Sequence, residues 1–157
     1  MNQRMQAVEV VQAEPGRGVG EAFAIRRRVF VDEQGVPLAL EFDAHDAAAR
    51  HLLARTEQRP VGTLRVRFQD GTAKIERVAV VPEARGLKVG RQLVLAALDL
   101  AERAGAVDCL LHAQVQVRGF YATLGFTAFG GTFIEDGILH VAMRRPLRGP
   151  KAADDAA

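Results

Sequence analysis

The sequence predicts one mixed α/β domain with a mostly antiparallel sheet. Three observations carry that expectation. Residues 51–81 hold three apolar runs of strand length in series, the last two joined by Asp70-Gly71, a strong hairpin signal. The clearest amphipathic pattern, Gly90–Ala104, follows directly on the third run. The chain of 157 residues, 48% hydrophobic and 25% charged, suits one packed core.

The elements follow in order. QAVEVVQA (6–13) is β-rich and partly alternating, and Pro15, Gly16 and Gly18 end it. From Val19 to Val31 apolar residues recur at helical spacing. Successive helical residues turn by about 100°, so Arg26, Arg27 and Arg28 cannot share one face, and a solvated face is the expectation for most of them. Residues 31–49 form a long connection carrying Asp32, Glu33, Glu41, Asp43 and Asp46. HLLART (51–56), VGTLRVRF (61–68) and AKIERVAVV (73–81) make the meander, and Pro82 stops it. Strict alternation would put Glu76 and Arg77 on opposite faces, Glu76 with Lys74 and Val78. After the long helix and Gly105 come a buried strand run (107–114), a short helix within 115–126 and a last hairpin around EDG. The tail from 148 to 157 reads as disordered.

Bulk properties exclude several classes. A formal charge of +2 is too small to argue for nucleic acid, although a pI near 9.1 allows a local basic patch for a small anion. No segment approaches the ~20 apolar residues of a membrane span, and the N-terminus lacks a signal-peptide core. The one cysteine, Cys109, precludes an intrachain disulfide and fits a reducing, cytoplasmic setting. It lies in an apolar run, so a buried inert thiol is expected. No His/Cys spacing points to a metal.

The chemically suggestive stretch is PEARGLKVGRQL (82–93). A helix N-terminus offers unpaired N–H groups and a favourable dipole to an anion. Gly86 and Gly90 allow close backbone approach or positive φ, and Arg85 and Arg91 add charge. A Walker A loop needs Gly-Lys-Ser/Thr, but Gly90 is followed by Arg-Gln; the dinucleotide pattern G-x-G-x-x-G is absent too. By itself the stretch fits a ligand-free helix start equally well.

Placed after IERVAVV, Arg85-Gly86-Leu87-Lys88-Val89-Gly90 resembles the pyrophosphate motif of the GNAT acyltransferase superfamily, Gln/Arg-x-x-Gly-x-Gly/Ala. Lys88 stands at its first glycine. Downstream, Gln114, Val117, Phe120, Tyr121, Gly125 and Phe126 resemble Asn-x-x-Ala-x-x-Phe-Tyr-x-x-x-Gly-Phe, with the first two positions changed. VFVDEQGVP, EFDAHD and FIEDGILHVAM are similar to a bacterial branch of the ElaA/YjcF type, and the first also to acyl-homoserine-lactone synthases. The resemblance implies a GNAT fold: a twisted mixed sheet, helices on both faces, splayed around an acyl-CoA site.

It further implies transfer of an acetyl group from acetyl-CoA to a primary amine of a small molecule or protein. The pantetheine would run beside Val78, Ala79 and Val80, and the pyrophosphate would sit on Arg85, Gly86, Leu87, Lys88, Val89 and Gly90, with Arg91, Gln114 and Phe120 nearby. Tyr121 would give a proton to the CoA thiolate. Glu76 is the meander's candidate for a general base, with a surface ion pair as its equal alternative. Glu33, Glu41, Asp43, His51, Glu135, His140 and a water relay stay open, while His112 in its buried run is expected to be a core histidine. The acidic connection, Glu33, Glu41 and Asp43 included, invites a cationic substrate. A longer acyl donor, on CoA or a carrier protein, and a CoA-binding sensor without catalysis remain alternatives. The apolar last hairpin leaves a homodimer open.

Overall fold

The computed structural model describes residues 7–148, so the expected tail lies, from residue 149 on, outside the described residues. The chain runs β1 (Val8–Gln12), α1 (Arg17–Arg26), α2 (Leu38–Glu41), β2 (Arg50–Thr56), β3 (Arg59–Gln69) and β4 (Thr72–Val80). It continues with α3 (Val89–Arg103), β5 (Asp108–Gln114), α4 (Arg118–Ala122), β6 (Thr127–Glu135) and β7 (Ile138–Pro146). α1 passes without a break into a π-helical stretch, Arg27–Glu33, so the first helix outlasts its apolar pattern.

One seven-stranded sheet has the order β1-β2-β3-β4-β5-β7-β6. Only β4 and β5 are parallel, because α3 carries the chain across between them. β3 is buried at every position from Val61 to Val66. A strand buried on both sides needs cover on both sides, and α1 and α3 both pack against it. α3 turns Leu93, Val94, Ala97, Leu98 and Ala101 into the core. Each fully buried Leu or Val there is worth about 1.5–3 kcal/mol.

Gly62 lets α3 come this close. A Cβ at position 62 would lie 2.8 Å from Val89 Cγ1 and 2.9 Å from Leu93 Cδ1. The missing side chain thus seats the first turn of α3 against β3 and sets where that helix begins.

The sheet opens in the middle. β4 and β5 pair only from Thr72↔Asp108 to Ile75↔Leu111. Beyond that point β4 stays with β3 as far as Val80↔Gly62, while β5 follows β7 as far as Gln114↔His140. The two central strands therefore diverge and leave a V-shaped gap.

Candidate active site

The gap holds a cleft of about 1040 Å³, at the upper end of the usual range for small-molecule sites. Its first wall is the free edge of β4. The Val81 N–H donates to Val61 O on β3 at 3.0 Å. Backbone direction alternates along a strand, so Val80, and Val78 before it, turn their amides to the open edge. The Val80 carbonyl accepts from Arg85 Nε at 3.0 Å on that same side. Ala79, between them, is buried.

Past Val80 a short 3-10 turn, Pro82–Ala84, leads to the start of α3. Gly86 takes φ +92° and Lys88 takes φ +62°, ψ +27°. Lys88 is thus a left-handed residue at the position where the family motif has glycine, a conformation costing a side-chain-bearing residue about 1–2 kcal/mol. Lys88 lines the cleft. Lys88→Gly is expected to raise unfolding stability by up to about 1 kcal/mol, whereas Lys88→Ala keeps the backbone cost and gives no gain. Denaturant midpoints of the two variants check this, and equal midpoints would show that position 88 carries no strain.

Gly86, Val89, Gly90 and Arg91 border the cleft with Lys88; Leu87 packs against the core instead. A Cβ at Gly90 would have 3.6 Å to Phe120 Cζ, so glycine is not required there by packing. Arg85 is engaged: its Nη1 and Nη2 donate to the Glu33 carboxylate at 2.7 and 2.8 Å. Glu33 therefore faces an arginine at the cleft mouth rather than a free cationic site.

α4 supplies the second wall. Tyr121 is buried and Phe120 half-buried, edge to face at 4.9 Å, and both line the cleft. Burial alone raises the Tyr121 pKa; no charge or hydrogen bond opposes it. Gln114 also lines the cleft, where its Nε2 donates to Gln34 Oε1 at 3.1 Å.

The third side corrects three sequence expectations. Arg77 adopts φ +58°, and the β3–β4 register slips between Thr63 and Arg65. Glu76 keeps Lys74 beside it as expected, but the bulge interrupts the alternation at Arg77, which reaches the 41–46 segment together with Arg65, the partner of Glu76. Arg77 Nη2 lies 3.3 Å from Asp43 Oδ2. Glu76 Oε1 accepts from Arg65 and Arg67 at 2.9 and 2.7 Å, and Lys74 stands 3.2 Å from Oε2. Burial pushes the Glu76 pKa up, but the Arg67 hydrogen bond and the charges of Arg65 and Lys74 outweigh it and hold the carboxyl well below its usual range. A carboxylate so stabilised is a weak proton acceptor.

The acidic connection is likewise spoken for. Arg26, fully buried, donates to Glu41 at 2.9 Å and to Asp46 at 2.6 Å. Arg65, 1% exposed, bridges Asp43, Asp46 and Glu76. Glu41 and Asp43 thus neutralise buried arginines and are not offered to a cationic substrate. His51 borders no part of the cleft; its Nε2 sits 3.0 Å from Asp46 O.

His112 is the third correction. Cys109, Leu111 and Ala113 take the buried face of β5, and burial pushes the Cys109 thiol up to about 12, out of reactive range. His112 falls on the other face, half-exposed, in the cleft. Its Nδ1 lies 2.8 Å from Glu135 Oε1. Phe133 packs edge-on against His112 at 5.0 Å and stacks on His140 at 6.0 Å. Arg65 and Gly62 were missed in the sequence, although a charge and a glycine inside a strand buried on both faces are the signals that mark them. Among the described residues no group of three or more His, Cys, Asp or Glu side chains is arranged to hold a metal ion. Among the described residues no helix is long and apolar enough to cross a membrane.

A parallel strand pair that splays over a helix N-terminus, faced by a tyrosine on a short helix, defines an acyltransferase type of fold and cleft. The model of the acetyltransferase (GNAT) domain matches residues 8–147, so the chain belongs to the GNAT acetyltransferase family. YyaT of Bacillus subtilis (strain 168) is 38% identical over 130 residues, covering 81% of this chain and 88% of that one. YjcF of the same organism, an uncharacterized N-acetyltransferase, is 34% identical over 126 residues, 80% and 90% of the two chains. The crystal structure of Escherichia coli ElaA superposes with a TM-score of 0.77 at 28% identity, over 90% of this chain and 99% of that one. These place the chain in the ElaA/YjcF-like branch.

Proposed function

We propose that this acetyltransferase moves an acetyl group from acetyl-CoA to a primary amine by direct attack. The observation that carries the reading is the open edge of β4. It leads straight from the apex of the splay to the start of α3, with Tyr121 across the cleft. An acyl-pantetheine laid beside Val78, Ala79 and Val80 pairs with the free amides like an added strand. Its diphosphate then meets the α3 N-terminus, where Lys88 and Arg91 add positive charge. An outward amide of β4 beside the thioester stabilises the oxyanion as it forms. The cleft orients both reactants, and Tyr121 hands a proton to the departing thiolate. Glu76, tied to three cations, holds the loop and β4 in place in this reading and is not the base.

Gly90→Glu tests the cradle. The site has room for a Cβ, so the variant folds normally, but its carboxylate projects into the cleft and repels a diphosphate. CoA affinity is expected to fall at least about tenfold with an unchanged apo melting temperature, measured by calorimetric titration. Unchanged affinity would overturn the placement. Thermal shifts with acetyl-CoA and longer acyl-CoAs then rank the donors.

A further inference from the structure

We propose that His112 takes the proton from the acceptor amine, with Glu135 as the positioning residue that holds the ring. This inference rests on the acetyl-transfer reading and names the group that reading leaves open. Several observations place it there. Ile75↔Leu111 is the last β4–β5 pair, so His112 is the first β5 residue past the point of divergence. It faces the cleft at the apex, where a thioester laid along β4 ends.

Its tautomer is set. An ionised Glu135 can only accept, so Nδ1 of His112 carries a hydrogen, and in the neutral ring Nε2 is the nitrogen with the lone pair. The hydrogen bond from His112 is also the chief influence keeping the Glu135 carboxyl below its usual range, so the partner stays ionised. Phe133, edge-on at 5.0 Å, restricts the ring.

The other candidates are less suited. The Glu76 oxygens are taken by Arg65, Arg67 and Lys74. Asp43 is held by buried Arg65, and although burial raises the Glu41 pKa, its Oε2 is shared between Arg26 and Arg77. His140 is 7% exposed, and its Nδ1 donates to a neutral acceptor, Ile138 O, at 2.7 Å. A carbonyl supports an imidazolium less than a carboxylate does. Glu135 from β6 touches His112, and His140 from β7, Lys74, Glu76 and Arg77 from β4, and Glu33, Arg85, Lys88 and Arg91 around the α3 start line the same cleft. Tyr121 from α4, Glu41 from α2 and Asp136 from the last turn border the same cleft.

The step balances as follows. An alkylamine arrives protonated, because its pKa is near 10. His112 Nε2 takes one N–H proton and passes it to solvent through the open cleft. The freed lone pair forms the N–C bond at the thioester carbonyl carbon, and the C–S bond breaks. The thiolate takes the Tyr121 proton. The second proton leaving nitrogen replaces it through solvent, so the products are amide, thiol and one released proton.

The test is the pH dependence of kcat/KM for acetyl transfer from acetyl-CoA to ethanolamine, spermidine and hydroxylamine. It compares the full-length wild type with His112→Gln, Glu135→Gln and His140→Gln. Wild type is expected to show an acidic limb with the alkylamines, as a reaction that needs an unprotonated base must. His112→Gln should lose that limb and fall about 100-fold, with CoA affinity unchanged. Glu135→Gln should move the limb to lower pH, because the carboxylate no longer favours the imidazolium. Hydroxylamine, already neutral at pH 7, needs no deprotonation before attack and loses its one proton to solvent, so His112→Gln should keep its rate within about threefold. An equal loss with hydroxylamine would assign His112 to packing and overturn the proposal. So would a limb that survives in His112→Gln or vanishes only in His140→Gln. A wild type that transfers while His112→Gln is unaffected sinks this inference alone. A wild type that binds CoA but acetylates none of the probes, hydroxylamine included, sinks the acetyl-transfer reading and this inference with it.

Discussion

Tyr121→Phe is expected to lower kcat about 100-fold while CoA affinity stays within about twofold. The hydroxyl is the only group removed. Burial alone accounts for the raised tyrosine pKa, so no hydrogen bond or ion pair is lost and stability should scarcely change. A phenol held neutral retains its proton until a strong base forms beside it. The departing thiolate is such a base, because the burial that destabilises a phenolate destabilises a thiolate as well. Phe120 and Phe126, packed edge-on at 4.9 and 6.0 Å, keep the ring where the substituted side chain would also sit. Steady-state kinetics with calorimetric CoA binding separates the two effects. Turnover within about twofold of wild type would remove Tyr121 from the reaction.

Replacing Arg65 should have the largest effect on stability. Arg65→Met fills similar volume but leaves Asp43, Asp46 and Glu76 without the guanidinium that joins them. Removing one partner of a buried ion cluster costs about 3–5 kcal/mol, because the charges left behind stay desolvated. Urea unfolding at neutral pH measures the loss, and a wild-type midpoint would show that the remaining arginines suffice.

The pH dependence supplies an independent readout. Burial works to raise the Asp46 pKa, but hydrogen bonds from Arg26 and Arg65 prevail and lower it to about 2. Glu76 is lowered as well. A carboxyl with a depressed folded-state pKa contributes stability above its unfolded pKa, about 4, and loses it as pH falls toward the folded value. Wild type should therefore weaken steadily from about pH 5 to pH 2. Arg65→Met, lacking much of that stabilisation, should show a shallower acid slope. Parallel slopes would mean that the cluster does not set the acid limit.

Much of the fold was legible because its signals are local. Asp70-Gly71 forms the expected hairpin turn, with φ +52° and +82°. Gly90–Ala104 predicts α3 to within a residue, since the 3.6-residue period of its apolar face is a property of one helix. The turn at Glu57-Gln58 gives no such signal. It carries positive φ at both residues without a glycine, so composition gives no cue to its geometry. The Arg77 bulge was hidden too, because an extra residue in a strand leaves no mark in an alternating pattern.

The same division runs through the active site. The sequence by itself determined the order of elements, the family, and the residues of the 85–90 turn and Phe120-Tyr121, all carried by contiguous or closely spaced positions. Only the tertiary structure decided which charges are free. Arg26 meets Glu41 across 15 positions, Arg65 meets Asp43 across 22, His112 meets Glu135 across 23, and Arg85 meets Glu33 across 52. Those meetings turn an acidic loop into a neutralised scaffold, make Glu76 a poor base and leave His112 with an open nitrogen. Periodicity comes from the geometry of the chain itself, whereas the protonation and availability of a side chain come from whatever the fold brings within a few ångströms of it.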